Sequence, residues 1–498
     1  MTLVMTKVTK RLPFLVTRFV RAVVACSASL GITGLASSGF LYLTSVLASE
    51  VHAETFCRID PQQIVLKANL LQAAQLGDRQ AAEDYEKIVT AHANQLRQCR
   101  QQSWLHTQAV WMRVYPCDLQ ARQLDQVLDN VVNFGYNRIY LNVFYDGRVL
   151  LPFGDNPTVW PSVVGRQASN ADLFAKVIVG AHRRGITVYA WLFAMNFGPS
   201  YAARSDRQSA IARNGFGESN LQDPRSIPEE ARVSHVFVDP YNTQAREDLR
   251  TLVRALARRQ PDGMVFDYIR YPQRSGSVVN NVRDLMIYGD TSLQKLFELA
   301  LSGQGQEAMI AYLKNGSVGN LKIPANVPLW KLPPQMQPVT SAGDLDRQLW
   351  QLVLAHGRKG VVEFLNYVSQ PAREAGISTG AVFFPKAHLT YGNGVDPRLQ
   401  PWFAFTNVVE WAPMSYAACG NASCIIDEIT LVMEKATGSQ TICPILMGYW
   451  GQSSPDRLAI EQQIAAVHQA YPQLSCLSHF AYSWLDLNAD RQRRTCQL

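Results

Sequence analysis

The stretch DGMVFDYIRYP, Asp262 to Pro272, ends an apolar run on a carboxylate and sets an arginine three residues behind it. Met264, Val265 and Phe266 form the short uninterrupted run of a strand covered on both faces. Asp267 then stands where such a strand would meet solvent. A carboxylate set among aromatic residues suits cleavage of a glycosidic bond. A protonated acid must donate to the bridging oxygen, and a second carboxylate must serve as base or nucleophile. Asp146 and Asp486 are the candidate partners of Asp267, and each also reads as a cap on its turn. Arg270 is expected to hold Asp267 ionised, which suits a base, a nucleophile or a charge stabiliser. The plainer alternative is an Asp267–Arg270 ion pair that only closes a loop. Trp191, Asn196, Tyr268, Tyr416, Trp450 and Trp484 are candidate substrate contacts, because aromatic faces cover the apolar faces of sugar rings. Trp191, Tyr416 and Trp484 are the candidate platform, and each reads equally well as core.

These residues need a scaffold that gathers them. From residue 107 onward, strand-like and helix-like segments alternate. AVWMRVYP, YNRIYLNVFYD, ITVYAWLFAMN and DGMVFDYIRYP read as strands, separated by amphipathic helices that end at Gly135, Gly185 and Gln260. ISTGAVFFP, NVVEWAPMSY, TICPILMGYW and LSHFAYSWLDL continue the series. The helix between the fifth and sixth strands is weak or replaced by a loop over Pro397–Phe405. Eight strand–helix units in series predict a (β/α)8 barrel, with a doubly wound open sheet as the alternative.

Barrel active sites form at the carboxyl ends of the strands, and that rule sorts the acids. Asp262 opens the fourth strand and Asp267 ends it, about 16 Å away at ~3.3 Å per residue. Asp262 belongs to the bottom face. Glu410 lies early in its strand and reads as a buried structural carboxylate. At the mouth the rule places Asp146, Asn196, Lys386, His388, Tyr416, Tyr449, Trp450, Trp484 and Asp486. About 70 residues, 273–343, interrupt the series after the fourth strand. They are expected to rise over the mouth as a lid or as one wall of a groove.

Residues 54–106 read as a helical hairpin, Gln63–Leu76 and Ala81–Gln102, broken near Gly77-Asp78. It is expected to be a small structural appendage, with Cys57 and Cys99 at its open end. Residues 1–53 read as an export leader. Five basic residues stop at Arg21, no charge follows from Ala22 to Ser49, and VHA closes the segment in the manner of a cleavage site. The alternative is an uncleaved membrane attachment through residues 22–49, which are long enough to span a bilayer. Eight cysteines follow the leader, an even number that fits an oxidising compartment. Cys57–Cys99 and Cys419–Cys424 are the expected disulfides. Localisation is therefore expected in the periplasm, the cell envelope or the extracellular space.

Other chemistries find no support. The formal net charge is +7, the leader carries +4 of it, and no basic run points to nucleic acid. HxH, HExxH and CxxC are absent, no GxSxG elbow stands between a strand and a helix, and no phosphate-cradling glycine loop follows a strand. No metal or cofactor is expected. His182 and His468 fall in helices and read as surface residues.

MRVYP, GITVYAWL, VFVDPYNTQAREDL leading to DGMVFDYIRYP, and EWAPMSY resemble, in order and spacing, the bacterial glycosyl-hydrolase-like barrels of family ten and its neighbours. The resemblance covers roughly residues 107–490. It implies an envelope glycosidase cutting peptidoglycan glycan strands or amino-sugar polymers. Asp267 matches the family's carboxylate at the end of the fourth strand, and Asp239 matches the aspartate of its DP element, a candidate substrate contact or cap. Many relatives have two acids before the tyrosine, whereas this chain has Phe266-Asp267-Tyr268. The expectation is thus an exported glycoside hydrolase with a polysaccharide substrate. Its rival is a glycan-binding barrel without catalysis.

Overall fold

The computed structural model describes residues 56–495 except 121, 167, 226–233, 276–277, 322–327, 333–344 and 486. The leader, its alternative as a membrane attachment, and the candidate acid Asp486 lie outside the described residues. Among the described residues no helix is long and apolar enough to cross a membrane.

The chain opens with a helical hairpin, α1 (Pro61–Gln75) and α2 (Arg79–Gln102). Asp60 and Asp78 cap the two helices by accepting from backbone N–H groups, Gln62 at 2.8 Å and Ala81 at 3.0 Å. The Cys57–Cys99 disulfide ties the open end as expected. The hairpin is bonded into the barrel base more firmly than an appendage requires. Arg100 is buried and donates to the carbonyls of Phe56, Leu105 and Gly135 and to Gln108 Oε1. Gly135 sits at φ +78°, and a Cβ there would overlap the Phe56 carbonyl oxygen, so no other residue fits this contact.

Eight parallel strands follow: β1 (Thr107–Met112), β2 (Arg138–Tyr145), β3 (Thr187–Phe193), β4 (Gly263–Asp267), β5 (Ser378–Phe383), β6 (Glu410–Pro413), β7 and β8 (Cys476–Phe480). β7 is split into Thr441–Ile442 and Ile445–Met447 around Cys443-Pro444, where proline cannot donate to a ladder. Each strand pairs with its sequence neighbour. β8 returns to β1, with Thr107 opposite Cys476 and Trp111 opposite Phe480. The two halves of β7 bridge β6 and β8, and Met414 also meets Ile445. The ring is therefore closed, and the open-sheet alternative is excluded. A Cys443–Cys476 disulfide joins the break in β7 to the start of β8, and Cys419–Cys424 staples the loop after β6.

Helices α3 (Gln123–Asn133), α4 (Leu173–His182) and α5 (Thr243–Ala257) cover the first half of the ring. In α3, Leu124, Val127, Leu128, Val131 and Val132 recur at helical spacing and face the sheet. Asp172 and Asn242 cap α4 and α5. The segment after β4 holds α6 (Asp290–Phe297) and α7 (Gly303–Asn315) before α8 (Leu345–Glu374). Between β5 and β6 stand only a two-residue hairpin and a 3₁₀ turn, Trp402–Ala404, which matches the weak helix expected there. Helices α9 (Ser423–Met433), α10 (Ile460–Ala470) and α11 (Leu487–Thr495) complete the cover.

The segment 273–343 departs from the expected lid. Val282, Leu285, Ile287, Leu296 and Met309 are buried in the main core. Tyr288 N–H donates to Arg213 O at 2.9 Å, and Arg274 pairs with Asp223 at 2.9 Å. Its described residues are wedged between α8 and the long loop after β3, because their apolar side chains have no other place to be buried.

Candidate active site

A cavity of about 220 Å³ opens at the carboxyl ends of the strands. Its lining includes Trp111, Trp191, Phe193, Phe384, Tyr416 and Phe480, with Asp267, Arg113 and Arg270 as its charged groups. Below this layer Trp111 stacks on Tyr140, centroids 4.1 Å apart, and the Tyr140 hydroxyl donates to Glu410 at 2.6 Å. Arg138 pairs with the other Glu410 oxygen at 2.7 Å. Glu410 is thus a buried structural carboxylate beneath the cavity floor, as its early position in β6 implies. Asp262 is likewise at the base, accepting from Val188 N at 2.7 Å and facing His182 Nε2 at 2.8 Å.

Asp267 is the last residue of β4, in register with Phe193. It is 7% exposed. Oδ2 accepts from the Trp191 indole N–H at 3.1 Å, and Oδ1 accepts from the Tyr268 backbone N–H at 2.6 Å. The left-handed backbone of Tyr268, φ 53°, turns the chain immediately after the acid. Burial pushes the Asp267 carboxyl from 3.8 up to about 6, against the opposing pull of the Tyr268 N–H, Arg270 and Trp191. Loss of hydration therefore outweighs two hydrogen bonds and a nearby guanidinium, by about 3 kcal/mol.

This overturns the expected role of Arg270. Among the described residues Asp267 makes no ion pair. Arg270 lies over the ring of Tyr268 at 4.7 Å, with Phe384 at 5.5 Å and Phe237 at 5.6 Å. Three aromatic faces hold its guanidinium in place of a carboxylate. Burial, not an ion pair, therefore sets the ionisation of Asp267, and it binds a proton more readily than an ordinary carboxyl.

Asp146 sits at the edge of the same mouth. Its backbone is left-handed at φ 50°, and its Oδ2 lies 3.7 Å from Arg113 Nη1, which lines the cavity. The Asp146 side chain is 44% exposed. The Tyr268 hydroxyl meets His235 Nε2 at 3.2 Å. Burial, together with Arg270 and Arg113, pushes His235 down to about 4, so its ring is neutral at ordinary pH.

The structure draws Asp267, Trp191, Tyr268, Arg270 and Tyr416 into one cavity lining. It leaves the other predicted contacts elsewhere. Asp239 is buried, and both of its oxygens accept from backbone N–H groups, Tyr241 at 3.0 Å and Ser292 at 3.1 Å. It caps the first turn of α6, while Asn242 caps the helix that Asp239 precedes in the sequence. Asn196 Oδ1 is used by Val236 N at 2.9 Å to pin the loop after β3. Trp450 turns outward, donating to the Tyr136 hydroxyl at 3.0 Å and packing edge-on against Phe56 in the hairpin. Trp484 stacks on Tyr449 at 4.6 Å, outside the cavity lining. Lys386 faces Glu428 at 3.8 Å, and His388 Nδ1 accepts from the Trp402 indole N–H. Neither lines the cavity. His468 stacks on Trp104 at 3.8 Å on the outer layer. No residue of 273–343 lines the cavity among those described.

Trp111, Arg113 and His235 were not singled out in the sequence. Arg113 directly follows β1 in MRVYP, so the strand-end rule would have found it. His235 lies far from β4 in sequence and gave no signal.

No protein-family model matches the chain, and no curated protein matches it. Among solved structures it is similar to the glycoside hydrolase domain of PgaB (BpsB) from Bordetella bronchiseptica. The identity is 14% and the TM-score 0.48, over 78% of this chain and 99% of that one. It is also similar to a GH18 chitinase from Pseudoalteromonas aurantia, with 10% identity and a TM-score of 0.37, over 77% and 96% of the two chains. A third is Aspergillus fumigatus Ega3 in complex with galactosamine, with 9% identity and a TM-score of 0.34, over 76% and 93%. At these values no residue role is taken from any of them.

Proposed function

We propose that this protein is a glycoside hydrolase of the glycosyl-hydrolase-like barrel type, acting outside the cytoplasm on an envelope or extracellular polysaccharide, with Asp267 as its acid. One observation carries the reading. A carboxyl with its affinity for protons raised to about 6 lines an aromatic-walled cavity at the carboxyl ends of a closed barrel. A group of that strength keeps its proton in mildly acidic solution and gives it up readily to a leaving oxygen. Trp191 orients it. Asp146, partly hydrated and beside Arg113 at the end of β2, two strands round the ring from Asp267, is the carboxylate best placed to act as base or nucleophile. Trp111, Phe193 and Tyr416 supply apolar faces against which a pyranose ring packs. Glycan strands of peptidoglycan and amino-sugar polymers are the leading substrates, in keeping with the motif resemblance.

A second reading, a glycan-binding barrel without catalysis, is favoured by one feature: Asp267 is the sole carboxylate among the residues lining the cavity. Incubating the purified protein with peptidoglycan strands and with amino-sugar polysaccharides, and assaying new reducing ends, separates the two. Hydrolysis by the wild type, lost on the order of 10²-fold or more in Asp267→Asn, supports the enzyme. Tight binding without new ends supports the binder.

A further inference from the structure

Arg270 has an unusual combination of features. It is 7% exposed and lines the cavity. Its Nη1 donates to its neighbour's carbonyl, Tyr271 O, at 3.1 Å, and its Nε has no hydrogen-bond partner. Among the described residues it makes no ion pair. The nearby Asp396 is taken by Arg398 at 2.6 Å. The other cavity arginine, Arg113, already has Asp146 at 3.7 Å and Asn142 Oδ1 at 3.0 Å. A guanidinium this deeply buried without a counter-ion is costly, and a protein that keeps one gains from an anion that arrives with the ligand.

We propose that Arg270 is an anion-recognition group, and that the sugar seated in this cavity carries a carboxylate. The inference rests on the glycan-cleaving or glycan-binding reading of the same site and names the substrate class within it. Two further points support it. When Asp267 holds its proton, the cavity lining carries two guanidiniums and no carboxylate. Cleavage of a glycoside also builds positive charge on the sugar ring, which a bare guanidinium would oppose. A carboxylate on the substrate neutralises Arg270 and removes that opposition. The planar fork of arginine matches a carboxylate, and the aromatic faces of Tyr268, Phe384 and Phe237 hold the fork in place. An amino sugar with a lactyl ether and a hexuronic acid both bear such a group.

The test is binding, measured calorimetrically on the full chain so that it does not depend on turnover. The probes are an oligomer containing N-acetylmuramic acid, a hexuronic acid oligomer, and each of them with its carboxylate reduced to the alcohol. The expected result is that reduction weakens binding to the wild type on the order of 10-fold or more for one of the two, which identifies the source. That preference should vanish in Arg270→Met and persist in part in Arg270→Lys. Equal binding of acid and alcohol, or binding of neither oligomer, overturns the proposal. So does a preference that survives in Arg270→Met, which would point to Arg113. Should Arg270→Met fail to fold, Arg270→Lys decides, since loss of the planar fork must still reduce the preference. Binding that requires the carboxylate, without cleavage of any polymer, would sink the hydrolase reading and leave this one standing. Cleavage of neutral polymers without a carboxylate preference would do the reverse.

Discussion

The Trp191 indole N–H donates to Asp267 Oδ2 at 3.1 Å, from a residue that itself lines the cavity. The bond favours the ionised form of the acid and so holds its affinity for protons below what burial alone would set. Trp191→Phe keeps most of the ring and deletes the donor. The Asp267 carboxyl should then rise further. If Asp267 is the acid, kcat/KM of the wild type falls as pH climbs through about 6, and in Trp191→Phe that limb should move to higher pH. A limb that stays in place, or moves lower, would show that Asp267 does not govern it.

Asp267 also couples stability to pH. Its folded value is raised, so folding disfavours the ionised form. The penalty is absent below the ordinary value of 3.8, grows as pH rises, and is complete above about 6. Asp267→Asn removes it. The stability of the variant relative to wild type should therefore increase between about pH 4 and pH 7, by up to about 3 kcal/mol. Urea denaturation of both proteins at the two ends of that window checks this. A constant difference between the two would mean that Asp267 is not desolvated.

Asp146→Asn tests the second carboxylate. It removes the partly exposed acid beside Arg113 without emptying any of the core. Turnover should drop on the order of 10²-fold, while melting changes little because the pair is exposed. Wild-type turnover in this variant would move the base or nucleophile to another residue.

Glu410 should behave in the opposite way. It neutralises Arg138 at 2.7 Å and accepts from Tyr140 at 2.6 Å beneath the cavity floor. Glu410→Gln strands a largely buried guanidinium, for a loss of roughly 3 kcal/mol, at the lower end for such pairs because Arg138 keeps some access to water. Activity per folded molecule should stay within a few-fold of wild type. A drop comparable to that of Asp267→Asn would place Glu410 in the chemistry.

Removal of residues 273–343 should unfold the barrel rather than alter its selectivity. Val282, Ile287, Leu296 and Met309 belong to the main core. Asp239, whose carboxylate accepts from Ser292 N, would be left buried with one of its two partners gone. Circular dichroism and thermal melting of the deletion check it, and a cooperative transition near the wild-type temperature would overturn it.

The order of elements was legible in the sequence because each is set by local pattern. The apolar run of β4, the helical spacing in α3 and the stops at Gly135 and Gly185 are properties of neighbouring residues. Eight such units in series imply a barrel, and the strand-end rule then places Asp267 at the mouth and Asp262 and Glu410 below it. The Cys57–Cys99 and Cys419–Cys424 bonds were readable for the same reason, since each closes a local unit. What only the tertiary structure decided is which way side chains turn once a strand has ended. Trp450 and Trp484 follow strands as Tyr416 does, yet Trp450 packs on the hairpin and Trp484 on Tyr449. Asp239 accepts from the backbone N–H of Ser292, 53 residues away in the chain. Arg270 stands three residues from Asp267, but the left-handed turn at Tyr268 delivers it to aromatic faces contributed by Phe237 and Phe384. The ionisation of Asp267 follows from that. Sequence spacing shows only that a cation is near, while the degree of burial decides whether its field or the loss of water prevails.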